Sequence, residues 1–318
     1  MGFTRRDFVK LCTGSVAGYG ISSMFHPFVH EVLAQTLTGE RPPVFWIQGA
    51  GCTGCSVSIL NSIHPAIADV LLKVISLEYH PTLMASEGAS ATENMFAIAE
   101  KFKGKYFVVV EGAIPTAEDG KYCVVAEAHH HEYTLVEMLK KMCPDAAAVL
   151  AFGTCSAYGG ISAAHGSVTE CVNVRQFFEN EGISTPVVNV PGCPPHPDWM
   201  LGTTILAINT ITNEGAEKGL ETIVSLLDKD GRPLPFYGKT THNECPWEAE
   251  FDNGIMAKVI TDKSRCRYDL GCKGPMAMCD SPTRKWNGKV SWCIENSLCI
   301  GCVQPNFPDG MAPFYTFE

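Results

Sequence analysis

The chain has 318 residues, 46% of them hydrophobic, and a net charge of −10 at neutral pH. That length and composition supply one large or two ordinary domains with a buried core, and the negative charge excludes a nucleic-acid binder, because phosphates would be repelled. No apolar run reaches the roughly 18 residues needed to span a bilayer, so no stable membrane anchor is expected.

At the amino terminus, Thr4-Arg5-Arg6-Asp7-Phe8-Val9-Lys10 is a twin-arginine pattern, followed by a mildly apolar stretch over 11–25 and by small residues at Val32-Leu33-Ala34 where a peptidase could cut. Residues 1–34 are expected to be a twin-arginine signal peptide, and the mature protein is expected in the periplasm. That route carries chains already folded, which suits a cofactor inserted before export.

From residue 35 the pattern alternates short β-branched runs with helical stretches, the signature of a parallel sheet with helices on its faces. Strands are expected at 44–48, 73–79, 106–111, 146–152 and 186–190. Helices are expected at 56–72, 93–102, 133–142, 172–181 and 220–227, with a further apolar run at 201–206. The His129-His130-His131 triplet reads as a solvated patch ahead of a helix. Three of the strands stop at a cysteine: the first leads to Cys52 and Cys55, the fourth through Gly153-Thr154 to Cys155, the fifth through Pro191-Gly192 to Cys193. Ligands of open α/β sheets gather outside the carboxyl ends of the strands, so these four thiols can converge on one centre. Glu111, at another strand end, reads as orienting a loop, and His196 as shaping the turn after Cys193.

Composition changes near Gly231-Arg232-Pro233, which divides the chain into an α/β domain over 35–230 and a loop-rich domain over 231–318. The second part is poor in apolar periodicity and cannot hold itself together by burial alone. Between His242 and Cys302 it places one histidine and seven of the fifteen cysteines: Cys245, Cys266, Cys272, Cys279, Cys293, Cys299 and Cys302. Eight such residues suit two four-ligand centres, iron-sulfur or zinc; a disulfide-stapled module is the alternative for an exported chain. Cys12, Cys123, Cys143 and Cys171 have no partner motif and read as inert thiols.

The motifs Gly51-Cys52-Thr53-Gly54-Cys55, Glu111-Gly112, Gly153-Thr154-Cys155-Ser156-Ala157-Tyr158-Gly159-Gly160 and Pro191-Gly192-Cys193-Pro194-Pro195-His196-Pro197 resemble the small subunit of nickel-iron hydrogenases. Cys266-Arg267-Tyr268-Asp269-Leu270-Gly271-Cys272-Lys273-Gly274-Pro275 and Cys299-Ile300-Gly301-Cys302 extend the resemblance over nearly the whole chain. It implies a flavodoxin-like sheet domain followed by a cluster domain, and an electron-transfer subunit with three iron-sulfur clusters in a line. The nickel-iron site that activates dihydrogen would lie in a large-subunit partner, in an obligate heterodimer.

Carried over by position, the resemblance assigns Cys52, Cys55, Cys155 and Cys193 to a proximal 4Fe-4S cluster, and His242, Cys245, Cys266 and Cys272 to a distal one. Cys293, Cys299 and Cys302 fall to a medial cluster. Many relatives have proline at the position of Cys293 and a three-iron medial cluster; cysteine there resembles the nickel-iron-selenium subgroup, whose medial cluster is 4Fe-4S. The usual fourth cysteine aligns with Ser281, whereas this chain has Cys279 two positions earlier. The fourth ligand is then Cys279, or a Ser281 oxygen, or one iron stays open; thiolate, the softer ligand, favours Cys279. The implied external partner is a c-type cytochrome with a basic face, complementary to the acidic chain. A free-standing ferredoxin-like carrier is the rival reading, and the proximal motif alone also resembles the related subunit of respiratory complex I.

Overall fold

The computed structural model describes residues 41–63, 65–286 and 289–316; the twin-arginine stretch lies outside them. Five strands form one sheet: β1 (Pro43–Gln48), β2 (Ser76–Tyr79), β3 (Phe107–Glu111), β4 (Ala148–Phe152) and β5 (Val187–Val190). Their order is 2-1-3-4-5 and every neighbouring pair is parallel, the flavodoxin-like arrangement. Successive side chains point to opposite faces, and both faces are buried. Val44, Trp46, Val109, Leu150 and Phe152 pack on one side; Phe45, Ile47, Val108, Val110 and Val149 pack on the other.

The second face is covered by α2 (Gly88–Lys101), α3 (Leu135–Met142) and α4 (Val174–Glu181). The first is covered by α1 (Gly54–Leu60), α5 (Pro197–Glu214) and α6 (Ala216–Val224). The single helix expected over 56–72 is two pieces. After α1 the chain turns at Asn61, whose side-chain amide donates to the Val57 carbonyl at 2.7 Å. Pro65, which has no amide to give a helix, sits in the gap, and helical structure resumes at Ile67–Asp69 and Val70–Val74. The apolar run at 201–206 is part of α5. Among the described residues no helix is long and apolar enough to cross a membrane.

The helix expected from 133 begins at Leu135 behind a capping box, with Thr134 Oγ1 accepting from the Glu137 amide at 3.2 Å and Glu137 Oε2 accepting from the Thr134 amide at 2.9 Å. The residues before it are a hairpin, Val124–Ala128 against His131–Thr134. His129 and His130 form its tip at φ 52° and 65°, a region in which histidine is enriched. The histidine triplet is thus a hairpin turn; His129 pairs with Glu93 at 2.5 Å.

Beyond residue 231 the chain runs in short turns and loops; apart from a small cluster of Ala257, Leu270 and Leu298, it packs on the sheet domain. Phe236, Tyr237, Ala277, Cys279, Cys299 and Val303 join Trp199 and Met200 of α5 in the first-face core. Two buried arginines fasten the junction. Arg232 donates to Asp228 (2.8 Å), Asp230 (3.0 Å) and the Val303 carbonyl (3.2 Å). Arg284 donates through Nε to both Asp280 oxygens at 3.0 Å and through Nη1 to Asp198 at 3.2 Å.

Candidate metal centres

Gln48, Glu111, Phe152 and Val190 are paired across β1, β3, β4 and β5, so the loops leaving these strands start level at one rim of the sheet. Cys52, Cys55, Cys155 and Cys193 all follow from this row. Burial pushes the Cys55 thiol well up, and the Glu111 carboxylate and the Cys155, Cys52 and Cys193 sulfurs push it further. Cys193, although part of its surface reaches solvent, is raised to about 11 by the protein packed around its thiol, then by Cys155 and Cys52. Cys155 is also raised by burial, while the Ile161 and Ser162 amides and the Ser162 hydroxyl pull the other way. The structure therefore brings these four together.

The backbone allows the sulfurs to stand close. A β-carbon on Gly153, at φ +88°, would lie 2.6 Å from Cys55 Sγ, and one on Gly160 would lie 2.9 Å from Cys155 Sγ. Glu111 orients the loop after β1 by a definite route. Its buried carboxylate accepts the amides of Cys55 (2.9 Å) and Ser56 (3.1 Å), the Trp46 indole N–H (2.8 Å) and the Gln48 amide (3.2 Å). An anion at the first turn of α1 suits the helix dipole and fixes where Cys55 points. His196 is buried and structural. Its Nδ1 accepts the Asp198 amide at 3.1 Å, capping α5, and its Nε2 lies 3.0 Å from the Lys285 carbonyl.

A second cavity, of about 300 Å³, is lined by Cys279, Ser281, Cys293, Cys299 and Cys302, with Trp199, Trp286 and Trp292 in its walls. The neighbouring Cys299 thiol pulls the Cys293 thiol down against burial, with help from the Ser281 and Ser291 hydroxyls, and Cys302 is pushed up to about 12 chiefly by burial. Both candidates for the fourth position are present. Cys279 Sγ lies 3.2 Å from Thr241 Oγ1, and Ser281 Oγ lies 3.8 Å from Cys293 Sγ. A third cavity is lined by His242, Cys245, Cys266 and Cys272, together with Trp247, Arg267 and Tyr268. Cys245 is raised to about 11, mainly by burial, and Cys272 Sγ accepts the Gly274 amide at 3.4 Å.

These sites adjoin in sequence. Cys193 of the rim set also lines the second cavity, and Cys293 and Cys299 line both the second and the third. Among the described residues no three Cys, His, Asp or Glu groups form a site for a single metal ion, and all fourteen described cysteines are free. Buried sulfurs that raise one another's pKa become thiolates only beside compensating positive charge, and several irons spread over a cavity supply it. The donor sets fit iron-sulfur clusters. Sequence reading did not find Trp247, Arg267, Asp280 or Arg284; only the Asp280/Arg284 spacing of four residues carried any signal for them.

A family model for the C-terminal part of the NiFe/NiFeSe hydrogenase small subunit matches residues 237–315, and one described as NADH ubiquinone oxidoreductase, 20 Kd subunit, matches residues 52–207. The chain is 52% identical to the periplasmic [NiFeSe] hydrogenase small subunit of Desulfomicrobium baculatum, covering 100% of both. It is 36% identical to the periplasmic [NiFe] hydrogenase small subunit 1 of Nitratidesulfovibrio vulgaris, covering 99% of this chain and 93% of that one. Among solved structures, a recombinant [NiFeSe] hydrogenase from Desulfovibrio vulgaris Hildenborough matches with a TM-score of 0.86 at 62% identity, covering 88% of this chain and 99% of that chain.

A flavodoxin-like sheet with four cysteines at its carboxyl rim, and two further cysteine-lined cavities beyond it, defines an iron-sulfur electron-transfer subunit. The chain belongs to the small-subunit family of NiFe/NiFeSe hydrogenases. It is the electron-transfer part of an oxidoreductase whose hydrogen-activating site lies in the large subunit, and the free-standing carrier is not favoured.

Proposed function

We propose that this chain holds three clusters, all 4Fe-4S, and relays electrons between the large subunit's active site and an external acceptor. The adjoining cavities carry this reading, because consecutive centres share wall residues. Cys52, Cys55, Cys155 and Cys193 would hold the proximal cluster, and His242, Cys245, Cys266 and Cys272 the distal one. Cys279, Cys293, Cys299 and Cys302 would hold the medial cluster. Cys279 is preferred to Ser281 because it is a buried thiol in the same cavity, whereas serine offers a harder oxygen. When bound, the clusters supply one-electron redox chemistry. The chain's own residues hold the sulfurs, keep Glu111 against α1, and exclude water with Trp199, Trp286 and Trp292. Imidazole at His242 in place of a fourth thiolate would leave less negative charge around the distal centre and favour a higher potential.

The large subunit would dock at the proximal rim, where Cys52 and Cys193 are exposed beside the exposed apolar Val57, Leu60 and Ile161. The far end would pass electrons to a c-type cytochrome. The periplasmic names of the relatives and the twin-arginine pattern support export in the folded state. We keep the domain boundary near 230, in the interval between the two family matches. Anaerobic iron and acid-labile sulfide analysis of the native heterodimer, with electron paramagnetic resonance before and after reduction, tests the proposal. About twelve irons attributable to this chain and no oxidised three-iron signal are expected; about eleven with such a signal would refute the medial assignment.

A further inference from the structure

Two buried donors in the third cavity have nothing to donate to. Arg267 is 4% exposed. Its Nη1 donates to the Ile294 and Ser297 carbonyls at 2.7 Å and its Nε to the Asp262 carbonyl at 3.0 Å. Nη2 is buried without a partner, and so is Nε1 of Trp247. Both residues line the same cavity as His242, Cys245, Cys266 and Cys272. Among the described residues Arg267 has no carboxylate partner, unlike Arg232 and Arg284, whose charges are answered by Asp228, Asp230, Asp198 and Asp280.

A buried donor left unpaired costs about 1–3 kcal/mol, and more when it is charged. Native proteins rarely tolerate one without a ligand or water to accept it. Two in one cavity, one of them cationic, point to an anionic acceptor filling that cavity. Sulfur atoms of an iron-sulfur cluster are such acceptors. Hydrogen bonds to them, and reduced negative charge nearby, raise the potential.

We infer that Trp247 and Arg267 are positioning residues of the distal centre, donating N–H groups to its sulfurs and holding its potential up so that electrons collect at the exit end. This rests on the assignment of His242, Cys245, Cys266 and Cys272 as the distal ligands. The role is electronic as well as structural, since Trp247 gives its one N–H and Arg267 adds a positive charge that, among the described residues, feels Asp262 nearby but forms no ion pair.

The test is a potentiometric titration of the native heterodimer, following the distal reduced-cluster signal by electron paramagnetic resonance, with iron content measured on each sample. Trp247→Phe removes the N–H with the five-membered ring and keeps an aromatic side chain in the wall. Arg267→Gln removes the charge, and Arg267→Lys keeps it without the planar fork. The expected result is a distal reduction equilibrium about tenfold less favourable in Trp247→Phe, which is about 59 mV for one electron. Arg267→Gln should shift it at least as far and Arg267→Lys less, with the other two clusters unmoved. His242→Cys is read alongside. A signal that His242→Cys leaves untouched refutes the ligand assignment itself. A signal that moves with His242→Cys, yet stays within about threefold in Trp247→Phe and in whichever arginine variant retains full iron, overturns the inference.

Discussion

Asp280 lies between Cys279 and Ser281, and the structure makes it the anchor of the medial loop. Its carboxylate takes Arg284 Nε at 3.0 Å on both oxygens, Arg284 Nη2 at 2.5 Å and the Trp199 indole N–H at 2.8 Å. Asp198, the other carboxylate on Arg284, takes one bond at 3.2 Å and is more exposed to water. Burial works against charge on Arg284, but the two carboxylates outweigh it and keep the guanidinium protonated. Asp280→Asn therefore strands a buried cation with a single weak partner, which costs about 3–5 kcal/mol when a buried pair is broken. Asp198→Asn removes one charged hydrogen bond at the edge of the cluster, about 1.5–3 kcal/mol. The assay is thermal inactivation of the anaerobic heterodimer together with iron content. Asp280→Asn should melt several degrees below Asp198→Asn, at about 2–4 °C per kcal/mol, and should also lose iron from the medial site. If the two variants are equally stable, or the order is reversed, the account of Arg284 as held mainly by Asp280 is wrong.

Gly153→Ala would drive a methyl to 2.6 Å from Cys55 Sγ at a positive φ, and is expected to cost about four irons per heterodimer by emptying the proximal site, measured by iron analysis. Cys279→Ser should convert the medial centre to an oxidised three-iron signal, while Ser281→Ala should leave its spectrum unchanged. The reverse pattern would transfer the ligand role to Ser281. His196 is held below the ordinary histidine pKa mainly by burial, against the opposing pull of Asp198. With an unfolded value of about 6.5, the unfolded chain takes the proton first, so this contribution is full above that pH and is lost as pH falls below it. Melting curves between pH 7.5 and 5.5 should steepen on the acid side in the native protein and flatten in His196→Gln.

Every strand of the main sheet was legible, because runs such as Val44 to Gln48 and Ala148 to Phe152 are short, β-branched and followed by glycine and cysteine. The convergence at the rim was legible for the same reason, since it follows from parallel topology. What pattern could not show depends on three-dimensional proximity. The hairpin before α3 was hidden because His129 and His130 adopt a left-handed turn that glycine or asparagine usually announces. Pro65 did signal the break after α1, and the apolar periodicity on either side masked it. Trp247 left no sequence trace and Arg267 appeared only as a letter of the motif after Cys266, because an unpaired donor is a property of the cavity around it.

Cys279 and Cys299, which would hold the medial centre, sit in the apolar core that covers one face of the sheet, beside Trp199 and Tyr237. If they do ligate, loading the cofactor and closing that core would be coupled. Incomplete metallation would then expose part of that core and be visible to quality control as misfolding.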